Sequence, residues 1–401
     1  MNLFMKKIIS VVLSVIIGIM VIFTPVAARA EVAEFKLDYD VSAAMLLEYE
    51  TGKVLYSYNE TKHVPIASIT KVMTLILAFE AIERGTLSYD DVITVSAEAS
   101  AMGGSGVFLH TGEQVKVEDL FKSIIVASAN DSCVAMAETI AGSQSQFVVM
   151  MNNKAKELGM TDTNFVNCTG LPSTGYYSCA RDVAVMSRVL MSHEDYFRWS
   201  SIWLDTMDNI KNKTVITNTN KLVRFYKGCD GTKTGFTNDA MHCITASAKR
   251  NDVRYIAIVL GAKSSDDRFS LAKELLNYAF ANYKAVTVVE KDQIFDGSTN
   301  LRVHMGQDDY VNGVAAEKIT QLTELSEKNN YTVTSVPNTY IKAPVHIGDK
   351  IGEYIIYKND KEIARIDMLA EKSIGKITYK SYISAMFDRW TWCKKTANAE
   401  E

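Results

Sequence analysis

The sequence predicts an α+β protein. An antiparallel sheet is closed by the two ends of one domain, with a helical lobe inserted between them; a small β-rich domain and a C-terminal amphipathic helix follow. Three observations carry this prediction. Residues 43–60 and 228–262 alternate with a period of two around turn signals, whereas much of the interval between them repeats at helical spacing. Beyond about Lys284 the helical period gives way to short alternating runs punctuated by Gly and Asn-Asp turns. The final stretch, "ITYKSYISAMFDRWTWCKK", places Tyr379, Tyr382, Ile383, Met386, Phe387 and Trp390 on one helical face, with basic charge from Arg389, Lys394 and Lys395.

Taken in order, Lys6 and Lys7 precede an apolar run from Ile8 to Phe23 and the small-x-small site Ala28-Arg29-Ala30. This predicts a secretory signal over residues 1–30; an uncleaved anchor is the alternative, against which the run falls short of the ~20 residues a membrane span needs. The segment "AAMLLEYETGKVLYSYNE" reads as a hairpin turning at Glu50-Thr51-Gly52-Lys53. Helix follows from about Ser68 to Arg84, stopped by Gly85, then two helical patterns parted by Ser128-Ala129-Asn130 and ended by Gly142. "SQFVVMMNNKAKELGM" and "ARDVAVMSRVLMS" continue the lobe. Adjacent antiparallel strands from Gly228 and a helix in "SSDDRFSLAKELLNYAFANY" close the domain. The predicted boundaries are 31–283 for this domain, 284–371 for the β-rich domain and 372–401 for the terminal helix. That helix suits lying in a bilayer interface rather than spanning it, with docking on its own domain as the alternative.

Composition narrows the function. With 401 residues, 47% of them hydrophobic, the chain can bury more than one core. A net charge of −4 gives no electrostatic case for nucleic acid. Six cysteines in an exported chain permit disulfides, and Cys168–Cys179 and Cys229–Cys243 are the pairs that flank short loops. The six histidines are scattered and no Cys-x-x-Cys appears, so neither a metal nor a cofactor is expected.

The chemistry lies in three short motifs. Ser68–Lys71 opens a helix, Ser128–Asn130 lies between two helices, and Lys233-Thr234-Gly235 falls on a strand. Each motif alone is weak: Ser-x-x-Lys recurs at Ser270–Lys273 and Ser373–Lys376, and His110-Thr111-Gly112 imitates the third. Order and setting separate the trio from these copies. Residues i and i+3 share a helix face, so Lys71 reaches the Ser68 hydroxyl. Serine needs an adjacent base, and lysine becomes one when burial beside another cation, here Lys233, lowers its pKa. Unpaired N–H groups at the helix start can help hold an oxyanion. Ser128 is placed to relay a proton, and Asn130 to hold a substrate amide or the lysine. For the first motif alone, an N-cap serine with a solvated lysine is the plainer alternative.

Ser-x-x-Lys, Ser-x-Asn and Lys-Thr-Gly in this order resemble the signature of penicillin-binding proteins and class A β-lactamases. Ala129 in the middle motif, together with "ETGKVLYSYNETKHVPIASITKVMT", "ASANDSCVAMAE", "NCTGLPSTGYYSCARD" and "GCDGTKTGFT", is similar to the low-molecular-mass penicillin-binding proteins, the serine-type D-Ala-D-Ala carboxypeptidases. The resemblance covers about residues 38–282 and implies that family's transpeptidase-like fold. It implies that Ser68 attacks the penultimate D-alanine carbonyl of a peptidoglycan stem pentapeptide, with Lys71 as base and Ser128 protonating the departing D-alanine. Asn130 would contact substrate, Lys233 and Thr234 would bind its carboxylate, and Gly235 would carry the chain to Phe236. The N–H groups of Ser68 and Phe236 would hold the oxyanion. Arg268 falls where a carboxylate-associated arginine is expected; a surface arginine beside Asp266 and Asp267 is the alternative. β-Lactams would acylate Ser68 as mimics of the D-Ala-D-Ala end. The implied location is the outer face of the cytoplasmic membrane. A β-lactamase, against which the sequence offers no obvious Glu-x-x-x-Asn loop, and a non-catalytic β-lactam sensor are the competing readings.

Overall fold

The computed structural model describes residues 33–327, 329–379 and 383. The predicted signal segment and most of the predicted terminal helix lie outside the described residues. The central sheet joins β1 (Ala43–Glu48), β2 (Val54–Tyr58), β3 (Cys229–Thr237), β4 (Met241–Arg250) and β5 (Val253–Ala262) in the order β2-β1-β5-β4-β3, antiparallel throughout. Early and late strands thus meet at the β1–β5 pair, with Ala43 opposite Leu260. Glu48, almost wholly buried, closes the β1–β2 turn by accepting from the Glu50 and Thr51 amides at 2.8 and 2.7 Å.

Both faces of the sheet are covered, which is why Tyr255–Leu260 of β5 is apolar at every position instead of alternating as expected. Met45, Leu47, Ile256, Ile258 and Leu260 face the helical lobe, whereas Ala44, Leu46, Tyr255, Ala257 and Val259 face the other way. The lobe contains α1 (Lys71–Glu83), α2 (Val117–Val126), α3 (Asn130–Ala141), α4 (Gln144–Glu157) and α5 (Ala180–Ser192). The opposite face is covered by α6 (Ser265–Asn282), through Leu271, Ala272, Leu275, Leu276 and Ala279. Ten of the 13 residues of α1 are buried, so an apolar helix lies at the centre of the lobe and carries its first residue, Lys71, in with it. Gly142, at φ 78°, stops α3 in the left-handed conformation that glycine adopts most cheaply. The Ser143 and Ser264 hydroxyls cap α4 and α6.

Three details go beyond the sequence reading. The helix expected from Ser68 begins as a 3-10 turn over Ala67–Thr70, and the α-helix starts at Lys71. The hairpins Val92–Thr94 with Gln114–Lys116 and Leu204–Met207 with Thr214–Thr217 were not predicted, because three or four residues are too few to display a period. Neither cysteine pair closes: Cys133, Cys168, Cys179, Cys229 and Cys243 are all free. Cys229 pairs with Ala248 and packs on the α6 side, whereas Cys243 packs on the lobe side, so the β3–β4 hairpin turns them away from each other.

The β-rich unit begins with Tyr283–Val289, paired with Ile319–Glu324; Tyr283 and Leu322 join the α6-side core and seat the unit there. Its four-stranded sheet runs Gly313–Ala315, Lys361–Ala370, Lys350–Lys358, Tyr331–Pro337. A separate core includes Val303, Tyr354, Ile356, Met368 and Ile374, so this packing extends beyond residue 371. Among the described residues, no helix is long and apolar enough to cross a membrane.

Candidate active site

Ser68 lies in the 3-10 turn that leads into α1, three residues before Lys71. The Lys71 Nζ lies 2.9 Å from Ser68 Oγ and donates to the Thr169 carbonyl at 2.7 Å. No part of Lys71 is exposed, and burial lowers its pKa from 10.5 to about 8, against smaller opposing contributions from Cys133, Cys168 and Asp131. The other two Ser-x-x-Lys copies are exposed at both serine and lysine, so neither lysine loses its water. Dehydration, which the motif does not encode, separates the site from its imitations.

The Thr169 carbonyl was not predicted. It sits on a loop tied by Asn167, whose Oδ1 accepts from the Thr169 and Gly170 amides at 3.1 and 2.7 Å. The signal available for it was the Asn-x-Thr-Gly turn at residues 167–170. Tyr176, also unpredicted, brings its hydroxyl to the same turn as Ser68.

Lys233, Thr234 and Gly235 occupy the middle of β3, one of the sheet's two edge strands, and all three are buried. A β-carbon at Gly235 would fall 2.7 Å from the Ile66 carbonyl oxygen and 3.0 Å from Ser68 N. Only glycine lets this strand cross the nucleophile turn so closely. Burial, reinforced by Lys71 and Arg268, holds the Lys233 ammonium well below the ordinary lysine range. The Lys233 Nζ donates to the Thr234 carbonyl at 3.2 Å. Arg268 is no surface arginine: it is buried, and its Nη1 donates to the Gly235 and Cys243 carbonyls at 3.1 and 3.2 Å. Burial lowers its pKa to about 10. Phe236 is half exposed and stacks on His242, ring centroids 4.4 Å apart.

Ser128 and Asn130 form the turn between α2 and α3. Asn130 is fixed by its amide donating to the Ser105 carbonyl and its Nδ2 to the Gly103 carbonyl, both at 2.7 Å. Cys133, one turn further on, feels the charges of both Lys71 and Lys233, which puts this end of α3 beside the lysines. Ser128 Oγ, Asn130 Oδ1, Thr232 Oγ1 and Arg268 Nε are buried without a partner. Buried polar atoms are normally satisfied, so the Ser128 and Asn130 orphans at the α3 end beside the lysines suit a site awaiting a polar ligand. Thr232 instead sits opposite Ala246 on the α6 face of β3. Elsewhere, Asp162, Cys179 and Asp182 approach one another, but the carboxylates are engaged by His63, Arg181, Thr163 and the Asp162 amide, as in an ordinary ion-pair network.

A serine–lysine pair at the start of a buried helix, crossed by the Lys-Thr-Gly edge strand of a five-stranded antiparallel sheet with helices on both faces, defines an active-site-serine hydrolase of the penicillin-binding class. The chain belongs to the D-alanyl-D-alanine carboxypeptidase family, whose model matches residues 29–264. The model of the penicillin-binding protein 5 C-terminal domain matches residues 283–376. The chain is 35% identical to the D-alanyl-D-alanine carboxypeptidase DacF of Bacillus subtilis, covering 96% of this chain and 99% of that one. It is 34% identical to the carboxypeptidase DacC of Escherichia coli, covering 88% and 89%. Among solved structures, penicillin-binding protein 5 of Haemophilus influenzae superposes with a TM-score of 0.69 at 27% identity, covering 86% of this chain and all of that one. Penicillin-binding protein D2 of Listeria monocytogenes, in its ampicillin-bound form, gives a TM-score of 0.56 at 31% identity over 62% of this chain and all of that one.

Proposed function

We propose that this chain is a serine-type D-Ala-D-Ala carboxypeptidase that removes the terminal D-alanine from peptidoglycan stem pentapeptides during cell-wall remodelling, and that β-lactams acylate it. The observation that carries the reading is the Lys71 Nζ at 2.9 Å from Ser68 Oγ, dehydrated and with its pKa lowered to about 8. A neutral Lys71 takes the Ser68 proton as Oγ attacks the penultimate D-alanine carbonyl. The Ser68 and Phe236 amides hold the oxyanion, a role supported by the close crossing of β3 over the nucleophile turn. Ser128 passes a proton to the departing D-alanine amine, and its partnerless buried hydroxyl supports that role. Asn130 holds the substrate amide. Lys233 and Thr234 take the terminal carboxylate, with Arg268 behind them raising the local positive potential. Water then hydrolyses the acyl-enzyme. The intact serine–lysine pair and the named relatives favour this reading over a sensor or a β-lactamase. D-Alanine release from a pentapeptide, measured with and without penicillin, tests it: release blocked by penicillin and abolished in Ser68→Ala is expected, and release persisting in Ser68→Ala refutes it.

For placement, we infer an exported enzyme held at the outer membrane face by the amphipathic sequence within residues 372–401, whose first part is not helix, since Ile374 and Lys376 bridge Val345 and Gly306. Its apolar face and basic end support this reading. Because Ile374 packs in the β-rich core, the truncation that tests it is made after Thr378. Release of an active enzyme from the membrane is expected, and unchanged membrane recovery points instead to the N-terminal segment.

A further inference from the structure

The turn that presents Ser68 has an unusual backbone. Ala67, fully buried, sits at φ 47°, in a region that residues other than glycine seldom enter. Something must hold it there. The Tyr176 hydroxyl makes three contacts with this turn: 3.0 Å to the Ile66 amide, 3.0 Å to Thr70 Oγ1 and 3.1 Å to the Ala67 carbonyl oxygen. A phenol has one proton and two acceptor sites. The Ile66 amide can only donate and the Ala67 carbonyl can only accept, so the phenol proton goes to Ala67 and Thr70 donates. All three capacities of the hydroxyl are used on five consecutive residues around the nucleophile.

Two further observations complete the clamp. A β-carbon at Gly170 would overlap the Ala67 carbonyl oxygen, so that oxygen is confined between the Gly170 backbone and the Tyr176 hydroxyl. Tyr176 is itself held, because Val64 and Ser178 exchange backbone hydrogen bonds at 2.8 and 2.9 Å. Burial raises the Tyr176 pKa well above the ordinary tyrosine value, so the proton that binds Ala67 stays in place across the working pH range.

In a planar trans peptide the carbonyl oxygen and the amide hydrogen point in opposite directions. Pinning the Ala67 oxygen therefore orients the Ser68 N–H, whose nitrogen lies 3.0 Å from where a β-carbon on Gly235 of β3 would fall. We propose that Tyr176 is a positioning residue that fixes the plane of the Ala67–Ser68 peptide and thereby aims the Ser68 N–H at the oxyanion. The inference rests on the reading of Ser68 N–H as an oxyanion donor. Tyr176 does not touch the reacting atoms and acts through one peptide plane.

The test is Tyr176→Phe, which keeps the ring and removes the hydroxyl. Losing an oxyanion donor outright costs about 10²–10³ in rate, so a donor left in place but free to rotate is expected to cost roughly 10–100-fold in acylation by benzylpenicillin. Affinity for a peptide boronic acid, whose tetrahedral adduct uses the same donors, falls by a similar factor. The dissociation constant of the first non-covalent penicillin complex changes less than about twofold, and the pH midpoint of acylation, set by Lys71, does not move. Thr70→Val removes one partner of the hydroxyl without touching the Ala67 bond and is expected to cost less than about threefold. Wild-type acylation and boronate affinity in folded Tyr176→Phe overturn the inference, as do equal losses in Tyr176→Phe and Thr70→Val. A wild-type enzyme that penicillin never acylates refutes the functional reading, and this inference with it.

Discussion

Lys71 makes one ionisation visible in two independent measurements. Its pKa falls from 10.5 to about 8 because folding removes it from water. At about 1.4 kcal/mol per pH unit, that gap amounts to roughly 3 kcal/mol. Below pH 8 both folded and unfolded chains keep the Lys71 proton, and the whole cost of burying the charge is present. Between pH 8 and 10.5 the unfolded chain still binds the proton while the folded protein has released it, so stability rises with pH through that window. Lys71→Met keeps the length and volume of the side chain and removes the charge. At pH 7 its gain is offset by the Thr169 carbonyl it leaves unpaired, worth about 1–3 kcal/mol. The sensitive quantity is the pH dependence of the wild-type–variant difference, which should close in favour of the wild type by about 3 kcal/mol from pH 8 to 10.5. In a domain of this size that corresponds to roughly 6–12 °C in thermal midpoint. In parallel, wild-type acylation by a β-lactam should fall about tenfold per pH unit below 8, because only neutral Lys71 accepts the Ser68 proton. Acylation flat from pH 6 to 9, or a stability difference independent of pH, would refute the assignment of Lys71 as a dehydrated base.

Three further outcomes follow from the same geometry. Because burial, Lys71 and Arg268 hold the Lys233 pKa down, an anionic ligand should draw a proton onto it; calorimetric binding enthalpies then differ between Tris and phosphate buffers in the wild type but not in Lys233→Gln, and identical enthalpies in the wild type contradict the charge argument. Gly235→Ala sets a β-carbon 3.0 Å from Ser68 N and should lower acylation by about 10²-fold in a chain that still folds, since a displacement of about 1 Å at a reacting group costs that much; near wild-type acylation would show that the turn can yield. In the β-rich unit, Tyr354→Phe removes the buried hydroxyl that donates to the Gly313 carbonyl at 2.6 Å, which keeps a second donor in Ser298, and should destabilise that unit by about 0.5–1.5 kcal/mol while leaving penicillin acylation unchanged; a coupled loss of acylation would show that the units are not energetically separate.

The sequence by itself determined the features that depend on local period and order. Strand-type runs around turn signals in residues 43–60 and 228–262, with helical spacing between them, set the sheet, the lobe and the antiparallel closure. The three-residue step from Ser68 to Lys71 set which groups share a face. Motif order, with the segments around it, was enough to point to the family and to nine candidate site residues. Long-range geometry decided the rest. On paper only order and setting distinguish the three Ser-x-x-Lys copies; packing adds that Lys71 alone among their lysines is stripped of water. Arg268 stood equally well as a surface residue until α6 placed its guanidinium against the Gly235 carbonyl. The cysteine pairs suggested by short loops do not close, because strand pairing turns Cys229 and Cys243 to opposite faces. Thr169 and Tyr176 act through a backbone carbonyl and through one hydroxyl on a turn about a hundred residues away. Such contacts leave no period in a sequence, because they are made by the folded chain's approach to itself and not by any residue's neighbours.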